Sequence, residues 1–166
     1  MMGRARSLLR DERGNSIVEL ALVAPFLATL LIGMVDLSRG YSTKVQVTQA
    51  AQRAIEKAMQ ADREDVNGEN VSFFQTLKAE GATAAGVAES AVAVKYWLEC
   101  NGVSQNTNPA TMNTDYEKVC PSGQTYARYV TVDITKTYTP MFGKRWGGSN
   151  ANGTYTLHGK AGLRVQ

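Results

Sequence analysis

From Ile17 to Val35 only Glu19, Pro25, Thr29 and Gly33 are not plainly apolar. Coiled as a helix, that run reaches about 28 Å, close to the hydrocarbon thickness of a bilayer. No second run of this kind follows, so the chain crosses a membrane once at most. Its single carboxylate is costly, because an acidic group within a membrane helix is disfavoured by about 2.5–3.5 kcal/mol on insertion scales. Glu19 is therefore expected to be kept for a partner.

The charge ahead of the run sets an orientation. Residues 1–14 carry Arg4, Arg6, Arg10 and Arg13 against Asp11 and Glu12, which accounts for most of the net charge of +3. A basic leader before an apolar helix predicts a cytoplasmic N-terminus with the bulk of the chain on the other side. The rest is nearly neutral and has no basic stripe interleaved with aromatics, so direct nucleic-acid binding is not expected. An ordinary secretory signal fits less well. The apolar run exceeds the usual 7–15 residues, and Ser38-Arg39-Gly40 makes a poor cleavage site. The expected organisation is a leader (1–14) that is removed, a transmembrane helix (15–38) and an extracytoplasmic domain (39–166).

Beyond Tyr41 the helix is expected to continue in amphipathic form. Val47, Ala51, Ala54, Ile55 and Ala58 make one stripe at helical spacing, and Gln49, Arg53, Glu56, Lys57 and Gln60 cover the opposite side. Asn15 or Ser16 is a suitable N-cap, Pro25 is expected to kink the helix, and Asp65-Val66-Asn67-Gly68 to end it. Ser72-Phe73-Phe74-Gln75 has the form of a capping box and predicts a short helix closing near Gly81, with weak helicity over 82–90. Three period-2 patterns predict strands with one wet face. They are Val92–Glu99, Tyr129–Thr135 and Tyr155–Val165. A polar loop between Cys100 and Cys120 separates the first two, and a glycine- and asparagine-rich turn through Gly153 separates the last two. The fold class is α+β: a long N-terminal helix, half membrane-spanning and half amphipathic, packed on a small antiparallel sheet.

Catalytic signals are absent from this pattern. His158, the one histidine, falls on the polar side of the last strand, where a surface imidazole is the ordinary reading. With two cysteines it does not make up a zinc ligand set. No nucleophile elbow, His-Glu-x-x-His helix or phosphate-cradling loop is present, so no cofactor, metal or small-molecule substrate is expected. In an oxidising compartment Cys100 and Cys120 are expected to pair; two unrelated buried thiols are the other reading. The bond after Gly14 is different, because chemistry can be done to it. Glycine lets a protease approach the backbone, and the apolar helix beyond would hold that bond at the cytoplasmic membrane surface.

The run Arg13-Gly14-Asn15-Ser16-Ile17-Val18-Glu19-Leu20-Ala21-Leu22-Val23-Ala24-Pro25, continued through Gly33-Met34-Val35-Asp36-Leu37-Ser38-Arg39, resembles the TadE-like (TadE/TadF) pseudopilins of tight-adherence (Tad, Flp) type IV pilus systems. The resemblance implies cleavage between Gly14 and Asn15 by a prepilin peptidase. It implies that Glu19 serves peptidase recognition and assembly, pairing with the terminal ammonium of a neighbouring subunit. Other minor pilins, the Tad secretion machinery and the inner membrane would be its partners, with the outer domain periplasmic or carried into a surface pilus. Asn15 departs from the Phe or Met of better-known pilins, so N-methylation is not carried over, and neither is their helix-melting behaviour, since Pro25 sits elsewhere. Two rivals differ in their N-termini and chemistry. A single-pass, signal-anchored periplasmic binding or interaction module unrelated to pili would keep its N-terminus or be cut near Gly40. A secreted enzyme would need a polar constellation that the sequence does not contain.

Overall fold

A computed structural model describes residues 15–60, 70–105, 112–141 and 150–165. Helix α1 (Asn15–Gln60) is followed by α2 (Asn70–Ala85), a 3₁₀ turn at Glu89–Ala91, β1 (Val92–Cys100), β2 (Val103–Ser104), α3 (Met112–Glu117), β3 (Tyr126–Tyr138) and β4 (Tyr155–Arg164). The chain divides into two compact units, Met1–Arg39 and Gly40–Gln166; α1 begins in the first and ends in the second. The α+β arrangement expected from the sequence is the one observed: the second half of α1 lies on a four-stranded antiparallel sheet of order β2-β1-β3-β4.

In the second unit the alanine stripe of α1 does what its spacing predicts. Val47, Ala51, Ala54, Ile55 and Ala58 are buried, joined by Ala50, while Arg53, Glu56, Lys57 and Gln60 stay exposed. Small side chains let the helix axis approach the sheet. The helix comes close at Gly159 of β4, where a Cβ would lie 2.3 Å from the Val47 carbonyl oxygen and 2.7 Å from the Thr48 nitrogen. Only a residue without a side chain fits there. Beneath the helices the sheet contributes Val92, Tyr96, Leu98, Val130, Val132 and Ile134, all buried. Each belongs to the inward set of its alternating pattern.

Helix α2 corrects two expectations. It starts at Asn70, so Ser72 is inside the helix instead of capping it, and it runs through Gly81 to Ala85. Gly81 is there for packing: a Cβ would sit 3.2 Å from Ile134 Cδ1 and 3.7 Å from Ala54 Cβ. The real stop is Gly86, at φ 62°. Its N–H donates to the Thr83 carbonyl and that of Val87 to the Ala82 carbonyl, the paired bonds of a Schellman ending. Lys136 Nζ then donates to the Ala85 carbonyl from β3, tying the helix end to the sheet. An exposed Lys57–Glu80 ion pair at 3.1 Å links α1 and α2, a contact worth at most about 1 kcal/mol at such a surface.

Among the described residues between the cysteines there is a hairpin and a short helix where a polar loop was expected. Asn101 (φ 50°) and Gly102 (φ 78°) form a two-residue hairpin that turns β1 into β2, with Cys100 paired to Val103. The Asn101 side chain then accepts from the backbone and the hydroxyl of Thr125, stitching the hairpin to the chain that enters β3. Helix α3 is short, and tertiary contacts hold it. Tyr116 meets Phe74 and Tyr96 edge-on, those two rings stack at 3.8 Å, and Arg128 donates to the Tyr116 and Lys118 carbonyls at the end of α3. Strand β3 extends beyond the predicted Tyr129–Thr135 at both ends. The leader (1–14), the helix stop at residues 65–68 and the turn glycines 143, 147 and 148 lie outside the described residues.

Candidate functional site

The first unit owes its character to one helical stretch whose apolar surface is bare. Between Ile17 and Leu37 the large apolar side chains point in every direction around the helix. Ile17 is 70% exposed, Leu22 74% and Leu37 76%, and none of the membrane-length apolar window is buried. A patch of that size on an isolated soluble protein would be an aggregation site; in a membrane or a helix bundle it is ordinary. Polar groups within it are few. Thr29 Oγ1 donates to the Phe26 carbonyl and so satisfies itself locally. Pro25 lies inside the continuous helix and removes the amide that would bond the Ala21 carbonyl.

Glu19 is exposed and lies one turn above Asn15 on α1, about 6 Å along the axis. Residues four apart share a helix face, so the carboxylate and the start of the helix look the same way. Gly14 lies outside the described residues, and of Asn15 the structure gives the helical backbone. A carboxylate in that position can accept hydrogen bonds or pair with a cation supplied from outside the helix.

Residues 14–55 match the family model of TadE-like proteins. The TadE-like segment coincides with the bare apolar stretch and continues into the alanine stripe. The matched segment lies within a helix long and apolar enough to cross a membrane. No curated protein and no solved structure matches the chain.

The second unit carries the other sequence-predicted residues. Cys100 and Cys120 form a disulfide, their Cα atoms 5.7 Å apart, which closes the excursion holding β2 and α3 onto the end of β1. His158 is on the wet face of β4, 3.3 Å from Thr135 Oγ1 and 3.5 Å from Asp133 Oδ1. Burial raises the Tyr96 and Tyr116 hydroxyls above the ordinary phenol range. The Glu117 carboxylate adds to the effect on Tyr96, while the Arg128 guanidinium opposes it on Tyr116. A shallow cavity of about 270 Å³ lies between α2 and β1, walled by Phe74, Lys78, Val92, Val94 and Tyr96, and its lining holds no carboxylate. Among the described residues no three His, Cys, Asp or Glu side chains gather as a metal site. The close approach at Gly159 was not foreseen from the sequence, although a glycine at an inward position of an apolar strand was the available signal.

Proposed function

We propose that this chain is a minor pilin or pseudopilin of a bacterial Tad (Flp) type IV pilus apparatus, made as a precursor and trimmed between Gly14 and Asn15 by prepilin peptidase. The reading is carried by one observation: an uncovered apolar helix, matched by the TadE-like family, whose only charge between residues 16 and 35 is Glu19. Trimming would leave an ammonium at Asn15. In a bundle of such helices the Glu19 carboxylate of one copy or relative would pair with the ammonium of its neighbour. Opposite charges attract strongly in a medium of low dielectric constant, and either alone is costly there. The requirement for a pair gives assembly its register. The leader arginines hold the N-terminus in the cytoplasm, and the disulfide-closed domain faces the periplasm, where it contacts other pilins or the secretion machinery.

The test is N-terminal sequencing of the mature protein from cells with an active prepilin peptidase. The expected first residue is Asn15. Gly14→Ala should leave the precursor uncut, whereas Glu19→Ala should leave cleavage largely intact and should assemble poorly. A mature protein that starts at Met1, or normal maturation of Gly14→Ala, would end this reading.

A further inference from the structure

Strand β4 is the last strand of its sheet, and among the described residues no strand pairs with its outer edge. It pairs with β3 residue for residue from Tyr129↔Arg164 to Tyr138↔Tyr155, with no bulge to turn the edge away. Val165 N–H donates to the Arg128 carbonyl, so odd-numbered β4 residues bond inward and even-numbered ones turn their backbone groups outward. One end of that edge is already occupied, because Lys44 Nζ of α1 donates to the His158 carbonyl. Past that contact the edge offers a window from Lys160 to Arg164, centred on Gly162. Lys160, Gly162 and Arg164 are all exposed.

We propose that this window accepts an extended segment of a partner protein as a fifth strand, and that the segment carries carboxylates at two positions four residues apart. Main-chain bonds to Lys160 and Gly162 would supply the attachment, as in other strand additions. Side chains supply the selection. On the wet face Lys160 and Arg164 stand two places either side of Gly162, and Arg164 also reaches the Tyr126 carbonyl at 3.5 Å. Opposite a lysine and an arginine, acidic residues are favoured and basic ones disfavoured. Gly162 carries no side chain on that face, and Thr131 leans toward its place, so that a Cβ would come within 2.9 Å of Thr131 Cγ2; what remains is a low gap above Thr131 Cγ2. A large side chain from the incoming strand can cover that gap, as aromatics do for edge glycines. On the inner face Ala161 and Leu163 are partly buried and pack against the core, so the two intervening partner residues should be apolar.

The same charges argue against a second copy as the occupant. Two β4 edges paired about Gly162 would set Lys160 opposite Arg164 twice, a like-charge juxtaposition. The partner is therefore an acidic strand from another protein, and the inference stands whether or not the leader is trimmed.

The probe is a labelled peptide, Glu-Val-Tyr-Val-Glu with capped ends, added to the full-length protein in detergent micelles. Amide exchange should slow at Lys160 and Gly162, and Lys160→Glu with Arg164→Glu should weaken binding about tenfold. The same double variant should gain affinity for Lys-Val-Tyr-Val-Lys, which rules out misfolding as the cause of the loss. The inference is overturned if the peptide protects other amides, if charge reversal changes nothing, or if the protein self-associates through β4. It is equally overturned if anionic vesicles engage Lys160 and Arg164 while the peptide does not bind.

Discussion

Placing a methyl group on Gly159 should force the helix off the sheet. The Cβ of an alanine would lie 2.3 Å from the Val47 carbonyl oxygen, 2.4 Å from its carbon and 2.7 Å from the Thr48 nitrogen, whereas ordinary contacts begin near 3.4 Å. All three obstacles are main chain, so no rotamer change relieves them, and α1 or β4 must retreat by about 1 Å. A gap of that size forfeits a quarter to a half of the dispersion energy along the separated surfaces. The surfaces involved include Val47, Ala50, Ala51 and Ala54, each no more than 2% exposed. Overpacking costs about 1–3 kcal/mol in general, and an obstacle made only of backbone puts Gly159→Ala at the upper end. For a domain of this size about 3 kcal/mol is a fall of about 10 °C in Tm. Two other glycines separate this cause from a general intolerance of alanine. Gly40→Ala in α1 meets only the Tyr138 ring at 3.4 Å and should stabilise by about 0.5–1 kcal/mol through helix propensity. Gly81→Ala presses on the flexible end of Ile134 at 3.2 Å, so its propensity gain and its strain should nearly cancel. Urea unfolding of the three variants, followed by tryptophan fluorescence, should rank them Gly40→Ala, Gly81→Ala, Gly159→Ala. If Gly159→Ala unfolds with the wild-type midpoint, direct contact of helix backbone with strand does not set this interface.

Opening the Cys100–Cys120 disulfide, by Cys100→Ser with Cys120→Ser or by a reductant, should cost about 3 kcal/mol for a loop of this length, measured as a shift in the urea midpoint. Alkaline titration should also destabilise the domain. Buried Tyr96 and Tyr116 keep their protons to higher pH than the unfolded chain does, so the stability they confer is complete below about pH 10 and is lost as pH rises from there through their raised values. Replacing either tyrosine with phenylalanine should flatten the alkaline limb of the stability curve, and an unchanged limb would exclude these two phenols as its source.

The parts of the fold that were legible in the sequence are those whose signal is local and periodic. The alanine stripe of α1 and the inward sets of β1, β3 and β4 followed from spacing alone, because burial on one face leaves a repeat of 3.6 or 2. Gly81 misled because a glycine that ends a helix and one that admits a neighbour look alike; only the Ile134 and Ala54 side chains across the gap tell them apart. Asn101-Gly102 carried a strong hairpin signal, obscured by the polar residues around it. Helix α3 left no readable signal of its own. Six residues are too few to show a period, and what holds them is Arg128 and the Phe74–Tyr96 pair, remote in sequence. In the first unit the bare helix was fully legible, since a long apolar run needs no tertiary context to declare itself.

One helix thus meets two surroundings, and its composition changes accordingly. From Val47 onward small residues mark a single buried face; between Ile17 and Leu37 large apolar residues surround the axis and no face is privileged by hydrophobicity. Between residues 16 and 35 Thr29 is satisfied locally and Glu19 is the one charged side chain, so under the proposed assembly its carboxylate would set which way this part of the helix faces in a bundle. Moving it is therefore more informative than deleting it. Glu19→Leu combined with Leu20→Glu keeps the composition and changes the depth by only about 1.5 Å, yet turns the carboxylate about 100° around the axis. If assembly depends on a carboxylate presented on the face of Asn15, this exchange should reduce the yield of sheared pili as severely as Glu19→Ala, with leader processing as the control for membrane insertion. Wild-type yield from the exchanged chain would mean that the bundle needs an acid near that depth but not in that direction, and the directional pairing of Glu19 with a neighbour's ammonium would be refuted.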